Sequence, residues 1–126
     1  MVVARNGIVA LDCDDHVALA NFWVAMLGGD VMFIHDTSIV IRTEWMWLST
    51  MRIADYRPPT WPSNEVPKQI QLNNAVDDVD AAVAESLRLG ARSASFQPFP
   101  SSFRVMLDPA GHPFCLTTQL PPEVGS

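Results

Sequence analysis

The chain has 126 residues and a formal charge of −6, from 8 basic and 14 acidic side chains. A length of this order suits one domain able to bury about two-thirds of its unfolded surface without disulfide or metal staples. Hydrophobic residues make up 48% and charged ones 17%, which excludes a disordered segment; the acidic balance, with a single lysine, excludes a nucleic-acid footprint and disfavours anionic membranes.

Hydrophobic periodicity divides the chain into two similar halves. Residues 7–13 (Gly-Ile-Val-Ala-Leu-Asp-Cys) read as a short apolar strand. Asp14 and Asp15 offer N-caps for a helix over 16–27, closed by Gly28-Gly29. On that helix Val17, Ala20, Trp23, Val24 and Leu27 form one apolar face. Strands are predicted over Val31–His35, Ile39–Thr43 and Trp45–Ile53. The crossover Tyr56–Pro67 carries four of the ten prolines and is predicted to be extended and ordered, with Trp61 pinned to the protein body.

The second half repeats the order. Gln69–Ala75 is a predicted strand, Asp77 the predicted helix cap, and Val79, Ala82, Val83 and Leu87 the apolar stripe before Gly90. Strands near Ala91–Phe96, over Phe103–Asp108 and over Pro113–Gln119 follow, the last two joined by the type I turn signal Asp108-Pro109-Ala110-Gly111. At an offset of 62, Asp15 falls on Asp77, Val17 on Val79 and Gly28 on Gly90. The expected architecture is α+β: two tandem β-α-β-β-β modules in one domain spanning 1–126, module one about 5–55, the crossover 56–67 and module two about 68–119.

Ala-Leu-Asp-Cys before helix one, Tyr-Arg-Pro-Pro-Thr-Trp-Pro in the crossover, Val-Asp-Asp-Val-Asp-Ala-Ala-Val at helix two and Leu-Asp-Pro-Ala-Gly-His-Pro-Phe-Cys-Leu near the end carry a resemblance. With the doubled module they resemble the glyoxalase-like and bleomycin-resistance branch of the vicinal oxygen chelate superfamily, over residues 7–118. The resemblance implies mixed sheets curled around a cavity and a homodimer. In metal-dependent members it implies His and Glu ligands on the first and last strands of each module. Here those places hold Ile8 or Ala10, Met51, Gln71 and Cys115, an unpromising donor set for magnesium, iron or zinc. No metal and no cofactor is therefore expected.

Other chemistry finds little support. His16, His35 and His112 share no ligand spacing, and the acid clusters 12/14/15 and 77/78/80 suit helix N-termini better than calcium. There is no G-x-S-x-G elbow and no phosphate-cradling glycine loop. Cys13 and Cys115 read as reduced, buried thiols, with one disulfide as the alternative. No catalytic residue is assigned.

Strand alternation instead selects a cup. Met51 facing inward takes Ser49, Trp47 and Trp45 with it, Gln71 takes Gln69 and Asn73, and Cys115 takes Thr117. The predicted ligand contacts are Trp45, Trp47, Met51, Gln71, Asn73 and Cys115, though Trp45 and Trp47 as filler between modules is the competing reading. The expectation is a metal-free, cytoplasmic, homodimeric protein that binds a small apolar or aromatic molecule and neither nucleic acid nor membrane. The alternative is an enzyme of the same fold, a lyase, isomerase or dioxygenase relative, using a metal or acid–base groups such as His35 and Arg104.

Overall fold

The computed structural model describes residues 2–125. In chain order the elements are β1 (Val9–Cys13), α1 (His16–Leu27), β2 (Gly29–Ile34), β3 (Ser38–Thr43), β4 (Trp47–Arg52), β5 (Leu72–Ala75), α2 (Val79–Leu89), β6 (Arg92–Ser93), β7 (Phe103–Leu107), β8 (Pro113–Thr117) and a final 3-10 turn, Pro122–Gly125. The chain divides into two compact units, one ending at Tyr56 and the other beginning at Arg57. Each holds one helix and one four-stranded mixed sheet, ordered β1-β4-β3-β2 and β5-β8-β7-β6. In both, the first strand runs parallel to the last, and the other pairings are antiparallel. The α+β fold of two β-α-β-β-β modules is therefore present.

In the first unit, α1 starts where the Asp15 carboxylate accepts the Ala18 N–H at 3.0 Å. It stops at Gly28, whose φ of 69° only glycine adopts freely. Leu19, Ala20, Phe22 and Trp23 are its buried face, and the Trp23 ring meets Phe22 edge-on at 5.1 Å. The sheet presents Leu11, Ile39, Ile41, Leu48 and Thr50 to this helix, all nearly inaccessible. The Thr50 hydroxyl donates to the His16 carbonyl of α1 at 2.8 Å, which fixes that side of β4 as the helix side.

In the second unit the cap lies one residue later than the sequence suggested. Asp78, not Asp77, is extended (φ −141°, ψ 112°), and its carboxylate accepts the Ala81 N–H at 3.0 Å. The caps Asp15 and Asp78 are thus 63 residues apart, whereas Gly28 and Gly90 are 62 apart; α2 is one residue shorter than α1, which a single offset could not represent. The position of Trp23 then corresponds to Ser86, a buried hydroxyl donating to the Val83 carbonyl within its own helix. Volume comes instead from Met106 and Phe114, paired across β7 and β8 and fully buried. The hairpin between them is a three-residue loop. Gly111 donates to the Asp108 carbonyl at 2.8 Å and takes φ 87°, while the Asp108 side chain accepts from the N–H groups of Ala110 and His112.

Three further expectations are corrected. The strand expected at Trp45 starts at Trp47, because Thr43 and Met46 close a tight turn: the Thr43 N–H and hydroxyl both donate to the Met46 carbonyl, and the Met46 N–H returns to Thr43 Oγ1. The crossover is not extended throughout. Thr60 and Val66 exchange three hydrogen bonds that fold residues 60–66 back on themselves. The strand expected over Ala91–Phe96 shortens to two residues, continued by one bond from the Ala94 N–H to the Val105 carbonyl.

Candidate functional site

Register assigns the face of each sheet that turns away from its helix. In the first unit three cross-strand rows lie on that face: Asp12, Met51 and Ser38; Ala10, Ser49 and Val40; and Trp47 with Arg42. Met51, Ser49 and Trp47 do share one face, as alternation requires. Trp45 is not on it; it sits in the 43–46 turn and is 59% exposed. Beside that turn lies a cavity of about 410 Å³, whose lining includes Asn6, Arg42, Glu44, Trp45, Met46 and Trp47. Its size falls within the usual range for small-molecule sites, about 300–1,000 Å³. Among the described residues neither indole N–H has a protein acceptor, and neither ring contacts another aromatic ring.

Arg42 and Glu44 were not singled out from the sequence. Arg42 lies opposite Trp47 only because of the antiparallel register of β3 on β4. A single strand's alternation carries no information about its partner. The Arg42 guanidinium lies 3.5 Å from the Asp30 carboxylate, both well exposed.

In the second unit Asn73, Cys115 and Val105 form one row across β5, β8 and β7. Gln71 precedes β5, which begins at Leu72 and not at Gln69, yet its side chain joins this row. Its amide nitrogen donates to Asn73 Oδ1 at 2.9 Å and to Cys115 Sγ at 3.0 Å, and its oxygen accepts from the Lys68 ammonium. The structure thus brings Gln71, Asn73 and Cys115 into one hydrogen-bonded group. Gln69 lies outside the strand. Below the group, Ala94, Val105 and Cys115 form a buried cluster against which Trp61, Phe103 and Leu107 pack. Burial pushes the Cys115 thiol up, opposed more weakly by the Lys68 charge and the Gln71 hydrogen bond.

These donors fit a divalent metal poorly. In the second unit the Gln71 oxygen already carries the Lys68 ammonium, a positive charge where a dication would sit. Burial disfavours the charged form of Cys115, the thiolate through which cysteine binds a metal. In the first unit Ala10 and Met51 offer one thioether between them. Among the described residues no group of three or more His, Cys, Asp or Glu side chains is placed to hold an ion. Of the groups considered for acid–base work, Arg104 donates to the Pro100 carbonyl and pairs with Asp80 of α2 at 2.9 Å, on the helix side of its sheet. His35 is exposed at the β2–β3 turn.

The doubled module with its parallel first and last strands is the architecture of the vicinal oxygen chelate superfamily. The chain belongs to the glyoxalase-like domain family, whose model matches residues 8–117. Among solved structures it is similar to a bleomycin-binding protein from bleomycin-producing Streptomyces verticillus, complexed with copper(II)-bleomycin: 22% identity, 95% of this chain and 100% of that one covered, TM-score 0.58. It is also similar to the fosfomycin resistance protein FosX from Mesorhizobium loti (14% identity, 98% of both chains, TM-score 0.68). A possible glyoxalase from Bacillus cereus aligns at 15% identity over 90% of this chain and 97% of that one, TM-score 0.66. At such identities the likeness is one of fold. No curated protein matches the chain.

Proposed function

We propose that this chain is a metal-free binding protein for a small apolar or aromatic molecule. The observation that carries the reading is the pair Trp45 and Trp47 beside an open cavity, with both indole donors unused by the protein among the described residues. Aromatic walls with a few polar groups are the common make-up of a ligand pocket. In the first unit Trp45, Trp47 and Met51 supply apolar contact. In the second, Gln71, Asn73 and Cys115 supply a polar patch whose donor set argues against a metal role. The buried thiols Cys13 and Cys115, neither of them in a disulfide, support a reducing, cytoplasmic setting.

The same reading makes the protein a homodimer. The edge strand β2 exposes Phe33 (57%) and Ile34 (73%), apolar surface of the kind a second copy covers.

Elemental analysis of purified protein, with thermal unfolding against a library of aromatic small molecules before and after chelation, tests the function. The expected result is no stoichiometric metal, no change in Tm on chelation, and a rise in Tm with a subset of ligands. A tightly held, stoichiometric divalent metal whose removal lowers Tm would overturn it. Sedimentation at micromolar concentration tests the dimer, and a monomer throughout would remove that part.

A further inference from the structure

The cavity beside the β3–β4 turn holds charges of both signs, and they are not equally available. The Arg42 guanidinium already faces the Asp30 carboxylate at 3.5 Å. The Glu44 carboxylate has no hydrogen-bond or ion-pair partner among the described residues. Around it stand Trp45, Trp47 and the polarisable thioether of Met46, and neither indole is engaged by another ring. A cation over an indole face meets the negative quadrupole there, and a Glu44 carboxylate with no bonded partner beside two indoles adds attraction for positive charge in a weakly hydrated group. The chain's formal charge of −6 acts in the same direction at longer range.

We propose that this cavity selects an organic cation, an alkylated ammonium carried on a flat apolar body. The proposal rests on the reading of the cavity as a ligand site and names its ligand class. The apolar body packs on one indole, the cationic head lies between the rings and the Glu44 carboxylate, and the Arg42–Asp30 pair bounds the site at near-neutral charge. A strongly hydrated inorganic cation gains little there, because stripping its water costs more than ring faces return.

Titration of the intact protein with benzyltrimethylammonium, its neutral carbon isostere neopentylbenzene, and benzoate, followed by tryptophan fluorescence and calorimetry, decides the matter. The cation is expected to bind about tenfold tighter than the neutral isostere, with affinity falling as salt rises. Glu44→Gln is expected to lower cation affinity about tenfold without changing that of the isostere, and Trp45→Ala to weaken both. Trp45 is 59% exposed, so its removal is expected to leave the fold intact, with an unchanged Tm as the check. Equal or tighter binding of the isostere or benzoate, lost in Trp45→Ala, would overturn the cation class while keeping the cavity as a ligand site. No binding of any probe overturns the class as well. A library ligand whose affinity ignores Trp45→Ala would place the binding function elsewhere in the protein.

Discussion

The Gln71 amide donates to the Cys115 sulfur at 3.0 Å, and its oxygen accepts from Lys68, so both ends of one side chain are committed to protein partners. Burial holds the Cys115 thiol above its ordinary value, against the weaker opposing pull of the Lys68 charge and of this Gln71 hydrogen bond.

The first prediction concerns that thiol. Cys13 is fully buried and Cys115 is 5% exposed, so a disulfide reagent at neutral pH should label neither in the folded chain and both in denaturant. Burial raises the folded Cys115 value, so the folded chain keeps this proton where the unfolded chain begins to lose it. The corresponding stability is present in full below the ordinary thiol range and is lost as pH rises through that range toward the folded value. The urea midpoint should therefore fall between about pH 7.5 and about pH 10, and fall less in Cys115→Ala. Equal slopes in the two proteins would show that this thiol is not responsible.

A second prediction separates two adjacent acids. Asp78→Ala should cost about 1 kcal/mol, because the Ala81 N–H loses its acceptor, whereas Asp77→Ala should stay within about 0.5 kcal/mol. Urea unfolding of the two variants measures the difference directly. Equal losses would return the cap to the position first suggested by the offset of 62.

Gly29 sets up a third. A Cβ built there would lie 2.2 Å from the Arg42 carbonyl oxygen, in the first pairing of β2 with β3, and backbone cannot give way as a flexible side chain can. Gly29→Ala should destabilise by about 3 kcal/mol, against near-neutrality for Gly7→Ala, where nothing lies within 4 Å. Thermal unfolding decides it, and a tolerated Gly29→Ala would show that β2 can shift on β3.

The fourth prediction divides the tryptophans by role. Trp23 is 1% exposed and should cost about 3–5 kcal/mol on replacement by alanine, enough to empty much of the folded population of an ordinary domain. Trp45→Ala should leave the urea midpoint unchanged within error and alter only ligand-dependent fluorescence. If Trp45→Ala unfolds the chain, the indole is packing and not a ligand wall.

Local signals reached the elements where the chemistry is local. Helix α1 was legible from Asp14, Asp15 and Gly28-Gly29, because a cap and a stop act within one turn; the structure selects Asp15 as the cap. The common face of Met51, Ser49 and Trp47 followed from alternation alone. The Thr43–Met46 turn did not, since threonine between arginine and glutamate reads as ordinary strand, and its hydroxyl's return to the Met46 N–H is a three-dimensional fact. Arg42 and Glu44 stayed hidden for related reasons. One needed the register of a partner strand and the other that same turn. The resemblance had put Gln71 and Cys115, 44 positions apart, at one site, but their direct hydrogen bond needed the parallel pairing of β5 with β8.

The replacement of Trp23 by Ser86 at equivalent helix positions reaches beyond either core. The first unit is filled from its helix, by Phe22 and Trp23, and the second from its strands, by Met106 and Phe114. Matching topology therefore does not make the halves exchangeable parts. Grafting α1 onto the second sheet would press an indole into space already taken by strand side chains, and grafting α2 onto the first would leave a void of indole size. Each helix has become a key cut for its own sheet, so the two halves can change in sequence independently while the shared architecture persists.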